Sequence, residues 1–359
     1  MSGDDRFAPA VGFVLAGMGV GSGFLRWTGL LAVGPIESLP GVLFGLIALL
    51  GFAPRRYGAS DRRFSLLAGL GSGGLTAAAT VTALHPSAMG PEGVGPGLLL
   101  AFVLGVLGIG VAAADYLGQD RRAVLVRAHA ASTALFIGFS GLLVGFGVSM
   151  IAMAPLPTSD GLLRYGVSAV AFSLGLGIVA AGYVHLTGRD WSFLDLDWPT
   201  RRGWLYVVTG TVGMFAILVV SGWITRTLGI PSAEQGMVKA AKDTPIVLLA
   251  FVPLSWLVIG PGEELLSRNV IQKHLYDSFS RPAAVIVATA VFTAMHLPAY
   301  ATGPLPAIFA TLLRLFATSL VLGVVYERTE TLVVPVLVHG TYNAAQFAVI
   351  YLIAVGYLG

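Results

Sequence analysis

Polar and ionisable residues stand on three apolar stretches in the last third of the sequence. They are Glu263, Glu264 and Arg268 on the first stretch, His296 on the second, and His339 and Asn343 on the third. Ionisable side chains are costly inside a membrane helix, so each of them is a candidate for function. A carboxylate can activate water, and imidazole and amide groups can donate hydrogen bonds to a developing oxyanion. The set suits the hydrolysis of a peptide bond.

The first stretch pairs two carboxylates that should be differently partnered. Glu264 precedes Arg268 by four residues, an order and spacing that allow the two side chains to pair on one helix face. Glu263 points about 100° away from that face. We expect Glu264 to stay ionised and Glu263 to act as a general base. Just before the two carboxylates, Pro261 and Gly262 predict a kink in the helix or backbone groups freed from its hydrogen bonds. The other interpretation is a cluster that reaches from a helix end to the membrane interface.

The two histidine-bearing stretches are ambiguous when each is taken alone. His296 could be a hydrogen-bonded packing residue, and His339 and Asn343, which share a helix face, could clamp two helices. Gly340 would let another backbone approach. Depth connects the stretches: at 1.5 Å per residue, His296 lies roughly 21 Å deep, His339 roughly 12 Å and Glu263 about 15–18 Å. We therefore expect the groups to meet in one buried pocket.

The elements that position these residues must be membrane helices. The chain has 359 residues, of which 56% are hydrophobic and 11% charged, whereas soluble domains carry about 25% charged residues. Apolar runs of about 20 residues recur along the chain, and each can cross a bilayer as a helix. Runs such as 101–114 are apolar on all sides, unlike the alternating strands of a barrel. We predict an all-α, polytopic transmembrane helix bundle.

We predict about eleven membrane helices. The first is expected to be a retained helix and not a cleaved signal peptide, because it lacks a strong basic n-region and an obvious cleavage site. The rough spans are 8–24, 39–54, 64–85, 97–116, 129–153, 163–187, 203–224, 245–275, 282–299, 305–327 and 331–357.

The loops between these spans predict an orientation. Three of them are rich in arginine, and these are 54–63, 117–128 and 188–203. The loops that alternate with them hold Glu92 and Asp160 but no Lys or Arg. Because positive loops stay on the cytoplasmic side, we expect the N-terminus to be cytoplasmic. Lys239 and Lys242 fall on the outer side in this scheme and oppose it.

A polar loop divides the chain into two predicted regions. The loop 188–202 holds Trp191 and Trp198, whose rings suit a membrane interface. We take it as the boundary between an N-terminal multi-helix region of unknown role, 1–202, and a C-terminal region, 203–359.

Other features of the sequence exclude several classes of function. The chain has no cysteine, which excludes disulfides, thiolate metal sites and a cysteine nucleophile. Its net charge of +3 is spread over short loops, so no nucleic-acid partner is expected. Four further ionisable residues fall near helix ends, where we expect interfacial solvation: His85, Asp115, His129 and His185.

The ordered set of residues resembles a known family. The CPBP intramembrane proteases, also called the CAAX protease and bacteriocin-processing or Abi family, carry E-E-x-x-x-R, F-x-x-x-H and either H-x-x-x-N or H-x-x-x-B on successive membrane helices. The resemblance covers roughly residues 203–359 and leaves the first 200 residues unexplained. The matching elements are Glu263-Glu264-x-x-x-Arg268, Phe292-x-x-x-His296 and His339-x-x-x-Asn343.

The resemblance implies roles for the residues on the first two stretches. Glu263 corresponds to the water-activating glutamate and Glu264 to its companion, with Arg268 orienting the pair. His296 would assist in activating the water, and Phe292 would pack beside it. These roles describe a glutamate-type intramembrane peptidase.

The resemblance also implies an oxyanion site and raises the question of a metal. His339 and Asn343 would form the oxyanion site. Zinc held by Glu263, His296 and His339 is the alternative, since two histidines and a glutamate can bind it. The sequence lacks the H-E-x-x-H spacing of a zinc protease helix. We therefore favour a mechanism that needs no cofactor.

Substrates and partners follow only from the resemblance. We expect a membrane-embedded or lipidated peptide or protein substrate, with a prenylated CAAX-like C-terminus as one class, and the lipid bilayer as surroundings. A prokaryotic cytoplasmic membrane is the expected location. Arg314 lies inside the predicted helix 305–327 and either receives a substrate carboxylate, pairs with a protein carboxylate or extends to the interface.

Two other functional classes remain open at this point. The chain could be a non-proteolytic membrane scaffold, as some members of the family are. It could also be a proton- or cation-coupled transporter that uses the same ionisable residues as a relay. Transporters often show repeated halves, and here the polar residues lie only in the second half, which disfavours that class.

Overall fold

The computed structural model describes eleven helices and, within the described residues, no strand. The described ranges are 4–27, 35–84, 96–231, 244–300 and 303–358. The helices are α1 (Phe7–Trp27), α2 (Pro35–Arg56), α3 (Arg63–Leu84), α4 (Pro96–Tyr116), α5 (Arg121–Met153), α6 (Gly161–Leu186), α7 (Arg201–Thr227), α8 (Ile246–Tyr276), α9 (Arg281–Tyr300), α10 (Leu305–Thr329) and α11 (Val333–Ala354).

The predicted fold class is confirmed. Each of the eleven predicted spans corresponds to one helix, and ten of the described helices are long and apolar enough to cross a membrane. In α1 the apolar part, Phe7–Ser22, is shorter than the other spans. The chain is a polytopic integral membrane protein. His85, Glu92, Lys239 and Lys242, which entered the predictions above, lie outside the described residues.

Helix α5 begins earlier than the sequence predicted. The loop 117–128 was expected to hold Arg121, Arg122 and Arg127, but these residues form the first two turns of the helix. The side chain of Asp120 accepts a hydrogen bond from the backbone N–H of Ala123 at 2.7 Å and so caps the helix before its apolar part. Hydropathy locates only the part of a helix inside the bilayer, and α5 extends beyond it.

The described helices group into two compact units. Unit 1 comprises Met1–Ala128, Leu228–Pro231 and Pro304–Ala310. Within it, α1 and α3 each pack against both α2 and α4. Small residues allow close crossing, because a Cβ added to Gly51 would lie 2.3 Å from the backbone nitrogen of Ala68.

One ionisable residue of unit 1 was interpreted wrongly from the sequence. Asp115 was expected to be solvated at the interface, but it is only 2% exposed. Its carboxylate accepts hydrogen bonds from Arg55 Nε at 2.9 Å and Nη2 at 2.8 Å, and from the Ser65 hydroxyl. Its partners lie on α2 and α3, and a spacing of 60 residues gives no pattern along one helix. His129 and His185 are exposed, as expected.

Unit 2 comprises His129–Thr227, Ser232–Gly303 and Thr311–Gly359. Helix α8 lies at its centre and contacts α6, α9 and α11. Leu266 and Val270 of α8 are fully buried in its core. The unit therefore contains most of α5, all of α6 and most of the region 203–359. The division of the chain into 1–202 and 203–359 stays a prediction.

Helix α8 is irregular around Pro261 and Gly262, where a kink or freed backbone groups were predicted. Its turns are π-helical at Ser255–Ile259 and again at Leu265–Gln272, with one α-helical turn, Gly260–Glu264, between them. π-Helical turns inside α-helices are frequent at functional sites. Here they flank the two adjacent carboxylates.

The loop between α6 and α7 is bonded to α8 and α10 and is not only a linker. The carboxylate of Asp195 accepts hydrogen bonds from Lys273 Nζ at 2.9 Å, from Asn269 Nδ2 at 3.2 Å and from the Tyr326 hydroxyl. The backbone oxygen of Asp195 also accepts from the N–H of Leu332 at 2.7 Å. These bonds hold the C-terminal half of α8 against α10.

The predicted interfacial tryptophans of this loop are exposed. Trp191 is 64% exposed and Trp198 is 72% exposed. A short 3₁₀ turn, Trp191–Phe193, is capped by Asp190. Hydrogen bonds from the side chain and backbone of Ser192 lower the pKa of Asp190 below its usual value.

Candidate active site

A close crossing of α8 and α11 creates the site. A Cβ added to Gly340 of α11 would lie 2.5 Å from Trp256 Cδ1 and 3.1 Å from the backbone oxygen of Ser255. The Trp256 indole also donates a hydrogen bond to the Thr341 hydroxyl at 3.1 Å. The backbone approach expected at Gly340 therefore occurs, and it brings the carboxylates of α8 within reach of His339.

Glu264 is the buried anchor of the site. Its side chain and that of Arg268 have no exposed surface, and Arg268 Nε donates to Glu264 Oε2 at 3.0 Å, the pairing that the four-residue spacing predicted. The other oxygen, Glu264 Oε1, lies 2.8 Å from His339 Nδ1. Both carboxylate oxygens are therefore occupied, and Glu264 is placed to orient its neighbours.

Glu263 has a different environment. Its Oε2 lies 3.7 Å from His296 Nε2 and 3.8 Å from His339 Nε2, and its side chain is 19% exposed. These separations are longer than direct hydrogen bonds and match those that a bridging water spans. The structure thus brings together Glu263, His296 and His339 around one partly accessible point.

The partners of the two imidazoles determine which ring nitrogen faces Glu263. His296 Nδ1 lies 2.8 Å from the backbone oxygen of Phe292, which can only accept, so Nδ1 carries the proton. His339 Nδ1 likewise donates to the Glu264 carboxylate. In both rings Nε2 is therefore directed to the point beside Glu263.

Phe292 connects the elements of the site by packing. Its ring centroid lies 4.4 Å from that of His296 and 6.4 Å from that of His339. The Arg268 guanidinium carbon lies 5.2 Å from the same centroid, within the range of a cation–π contact. The side chain therefore restricts the rotation of three polar neighbours.

The remaining predicted residues are less firmly held. Asn343 lies one turn after His339 on α11 and is half-buried, with no side-chain hydrogen bond to another residue of the described ranges. Arg314 is also half-buried and makes no ion pair with any residue that the structure describes. It interacts electrostatically with Tyr342. Both side chains are thus available to an incoming group.

The donor types of the site, two imidazole nitrogens and a carboxylate, are ones that zinc accepts. Among the described residues, no three or more His, Asp or Glu side chains are placed so as to hold a metal ion. We therefore derive no chemical step through a metal.

Comparison with known proteins agrees with the motif. Residues 245–345 match the family model described as Type II CAAX prenyl endopeptidase Rce1-like. This segment is a CAAX protease family domain. The predicted resemblance is confirmed for that range, which contains every motif residue from Glu263 to Asn343. No curated protein and no solved structure gives a significant match to the chain.

The sequence did not indicate some polar residues that support this CAAX protease domain. Ser319 accepts a hydrogen bond from Arg268 Nη2 at 2.8 Å. Asp195 accepts hydrogen bonds from Asn269 and Lys273, which follow Arg268 on α8. Ser319 lies 51 positions from Arg268 along the chain, and Asp195 lies 74 positions from Asn269. The available signal was a run of polar residues every four positions on α8, beginning at Glu264.

Proposed function

We propose that the chain is an intramembrane endopeptidase that hydrolyses a peptide bond of a membrane-associated substrate, with water activated by Glu263. The observation that carries this proposal is the unequal pair of carboxylates. Glu264 is bonded on both oxygens, whereas Glu263 Oε2 lies 3.7 and 3.8 Å from two imidazole nitrogens at a partly accessible point. A general base needs an oxygen that is free to take a proton, whereas a carboxylate that orients its neighbours needs both oxygens to be hydrogen-bonded.

The first step is the attack of water on the carbonyl carbon of the scissile bond. Glu263 takes one proton from the water while His296 Nε2 accepts the other O–H as a hydrogen bond and so orients the molecule. The water oxygen bonds to the carbon, and the carbonyl electron pair moves to oxygen. In the second step the carbonyl reforms, the C–N bond breaks, and Glu263 gives its proton to the departing nitrogen.

His339 and Asn343 would stabilise the oxyanion between these steps. Since His339 Nδ1 donates to Glu264, a hydrogen bond from Nε2 to the oxyanion requires that the ring carry both protons. With His339 and Arg268 positive and Glu263 and Glu264 negative, the buried group has no net charge. Charges in a low-dielectric site are tolerated best when paired in this way.

The substrate class rests on the family match and on the membrane setting. We propose a lipidated or membrane-embedded peptide, with a prenylated CAAX-like C-terminus as the first class to test. Arg314 would receive the C-terminal carboxylate of such a peptide. We further propose a prokaryotic cytoplasmic membrane. The N-terminus would be cytoplasmic, since three Arg-rich segments between the apolar spans alternate with acidic ones.

The test is cleavage of a fluorogenic prenylated C-terminal peptide by the full chain in detergent. Wild type is expected to cleave it with and without a chelator, and Glu263→Ala and His339→Ala are expected to be inactive. His185→Ala is the matched control, because His185 is exposed and remote from the site in sequence. Loss on chelation with rescue by zinc would replace the glutamate mechanism by a metal-dependent one. Absence of cleavage with this and with unprenylated membrane peptides would favour the scaffold.

A further inference from the structure

Helices α8 and α10 exchange polar contacts on three consecutive turns. In each contact the two residues are 51 positions apart in sequence, and each contact follows the previous one by four residues on both helices. The two helices therefore run parallel and in register along this stretch. The pairs are Arg268–Ser319 (Nη2 to Oγ, 2.8 Å), Gln272–Gly323 (Nε2 to backbone oxygen, 3.1 Å) and Tyr276–Glu327 (hydroxyl to carboxylate).

The first contact continues directly into the candidate active site. Ser319 holds Arg268, Arg268 holds Glu264, and Glu264 holds His339 through successive hydrogen bonds of 2.8, 3.0 and 2.8 Å. None of these four side chains is more than 8% exposed. Water therefore offers little replacement for a lost partner.

The second contact depends on a glycine. A Cβ added to Gly323 would lie 2.9 Å from Val285 Cγ1, 3.2 Å from Gln272 Oε1 and 3.4 Å from Arg268 Nη1. The backbone of α10 thus approaches α8 so closely that both polar side chains lie against it. This approach allows Gln272 to donate to the backbone oxygen of residue 323.

We propose that Ser319 and Gln272 are positioning residues for the proposed hydrolysis. Ser319 binds the Arg268 guanidinium, which directs Glu264 toward His339, and Gln272 holds the backbone of α10 against α8 one turn further along. Neither residue touches substrate or water in this proposal. An arginine side chain has several rotatable bonds, so a guanidinium held by one carboxylate alone samples more orientations than one held from two sides. The inference rests on the proposed function, because positioning matters only where there is chemistry to position.

The first experiment compares Ser319→Ala with Thr318→Ala. The Thr318 hydroxyl is equally buried but bonds only to backbone oxygens of its own helix, Arg314 O and Leu315 O, both at 3.1 Å. Ser319→Ala is expected to lower kcat about tenfold, since small displacements of catalytic groups are costly. KM should change by less than about twofold. Equal losses in both variants would overturn the proposal. Gln272→Met is expected to show the same pattern with a smaller loss.

A double-mutant cycle separates positioning from general destabilisation. If Ser319 acts through Arg268, Ser319→Ala should lower kcat by less than about twofold in an Arg268→Lys background, where the guanidinium that joins Glu264 to Ser319 is already lost. A tenfold loss in both backgrounds would mean that Ser319 acts independently of Arg268, and would overturn the proposal.

A readout without substrate distinguishes failure of this inference from failure of the proposed function. In the ¹⁵N-histidine-labelled chain, the His339 Nδ1–H resonance is identified by its disappearance in His339→Gln. Ser319→Ala is expected to shift it, and Thr318→Ala is expected to leave it in place. If wild type cleaves no probe, the proposed function fails, while this resonance still decides whether Ser319 orients His339 through Arg268 and Glu264. An unchanged resonance in Ser319→Ala overturns the inference even if kcat falls.

Discussion

Each unit contains a buried arginine–carboxylate group, and the two groups differ in whether every carboxylate is fully hydrogen-bonded. In unit 1, Asp115 accepts from Arg55 through two nitrogens and from Ser65, and Arg55 Nη1 donates to the backbone oxygen of Ala59 at 2.7 Å. In unit 2, the Glu264–Arg268 pair is equally buried, but a second carboxylate adjoins it. That carboxylate, Glu263, meets its imidazole neighbours only at 3.7 and 3.8 Å.

Under the proposed function, the difference distinguishes a structural ion pair from a reactive site. Where both oxygens of every carboxylate are hydrogen-bonded, the group fixes helices and has no capacity for a further ligand. Where one carboxylate is left at water-bridging distance beside a fully bonded one, the group can bind and deprotonate a molecule. Burial and pairing alone would not have separated Asp115 from Glu264.

The largest expected effect tests Glu263, the carboxylate that lies 3.7 and 3.8 Å from its imidazole neighbours. Glu263→Gln should lower kcat by about 10³-fold, because the amide cannot accept the proton of water. Its melting temperature should fall little, since Glu263 is 19% exposed and lies 3.7 and 3.8 Å from its imidazole neighbours. Asp115→Asn serves as the counterpart and should retain wild-type kcat per folded molecule. Residual activity above a tenth of wild type in Glu263→Gln would assign the base elsewhere.

A second prediction compares the two arginines directly. Arg55→Met and Arg268→Met should each lower the free energy of unfolding by about 3–5 kcal/mol, because each removes the arginine partner of a buried carboxylate. Only Arg268→Met should also lower kcat of the fraction that remains folded. Denaturant unfolding and single-turnover cleavage measure the two quantities. A similar loss of kcat in Arg55→Met would contradict the distinction between the units.

The close helix crossing gives a third prediction. Gly340→Ala should lower kcat about tenfold, because its Cβ must push α11 away from Trp256 and so separate His339 from the carboxylates. Gly222→Ala on α7 is the matched control, since a Cβ there meets no atom within 4 Å. Unchanged kinetics in Gly340→Ala would show that the crossing tolerates expansion.

The smallest expected effect concerns Arg314. If this side chain receives the substrate carboxylate, Arg314→Ala should raise KM about threefold for a peptide with a free C-terminus, as expected for a partly solvated ion pair. A C-terminally amidated peptide should show no change between the two enzymes. Equal KM values for the free peptide would remove Arg314 from substrate binding.

The helices were largely predictable, for a physical reason. A membrane-spanning helix must be apolar on all sides over about 20 residues, so composition alone reveals it. The start of α5 was not predictable from hydropathy, because the cap at Asp120 lies outside the apolar run. The burial of Asp115 was also missed, since Arg55 lies on another helix.

The site was predictable where its contacts follow helix periodicity. Glu264 and Arg268 pair as their four-residue spacing predicted. The contact between Glu264 and His339 spans 75 residues, and the one between Arg268 and Ser319 spans 51. Such partners depend on which helices pack together, and spacing within one helix carries no information about that.

The π-helical stretch Leu265–Gln272 makes the alignment of α8 sensitive to chain length. Its turns hold more residues than α-helical turns, so the stretch acts like residues inserted into a regular helix. Closing this stretch into α-helical turns at unchanged length would rotate the residues that follow it relative to Glu264. Gln272 would then face away from α10. Replacing one apolar residue of the stretch by another, as in Leu265→Met, should be accepted in a screen of functional variants, whereas single-residue insertions should be eliminated.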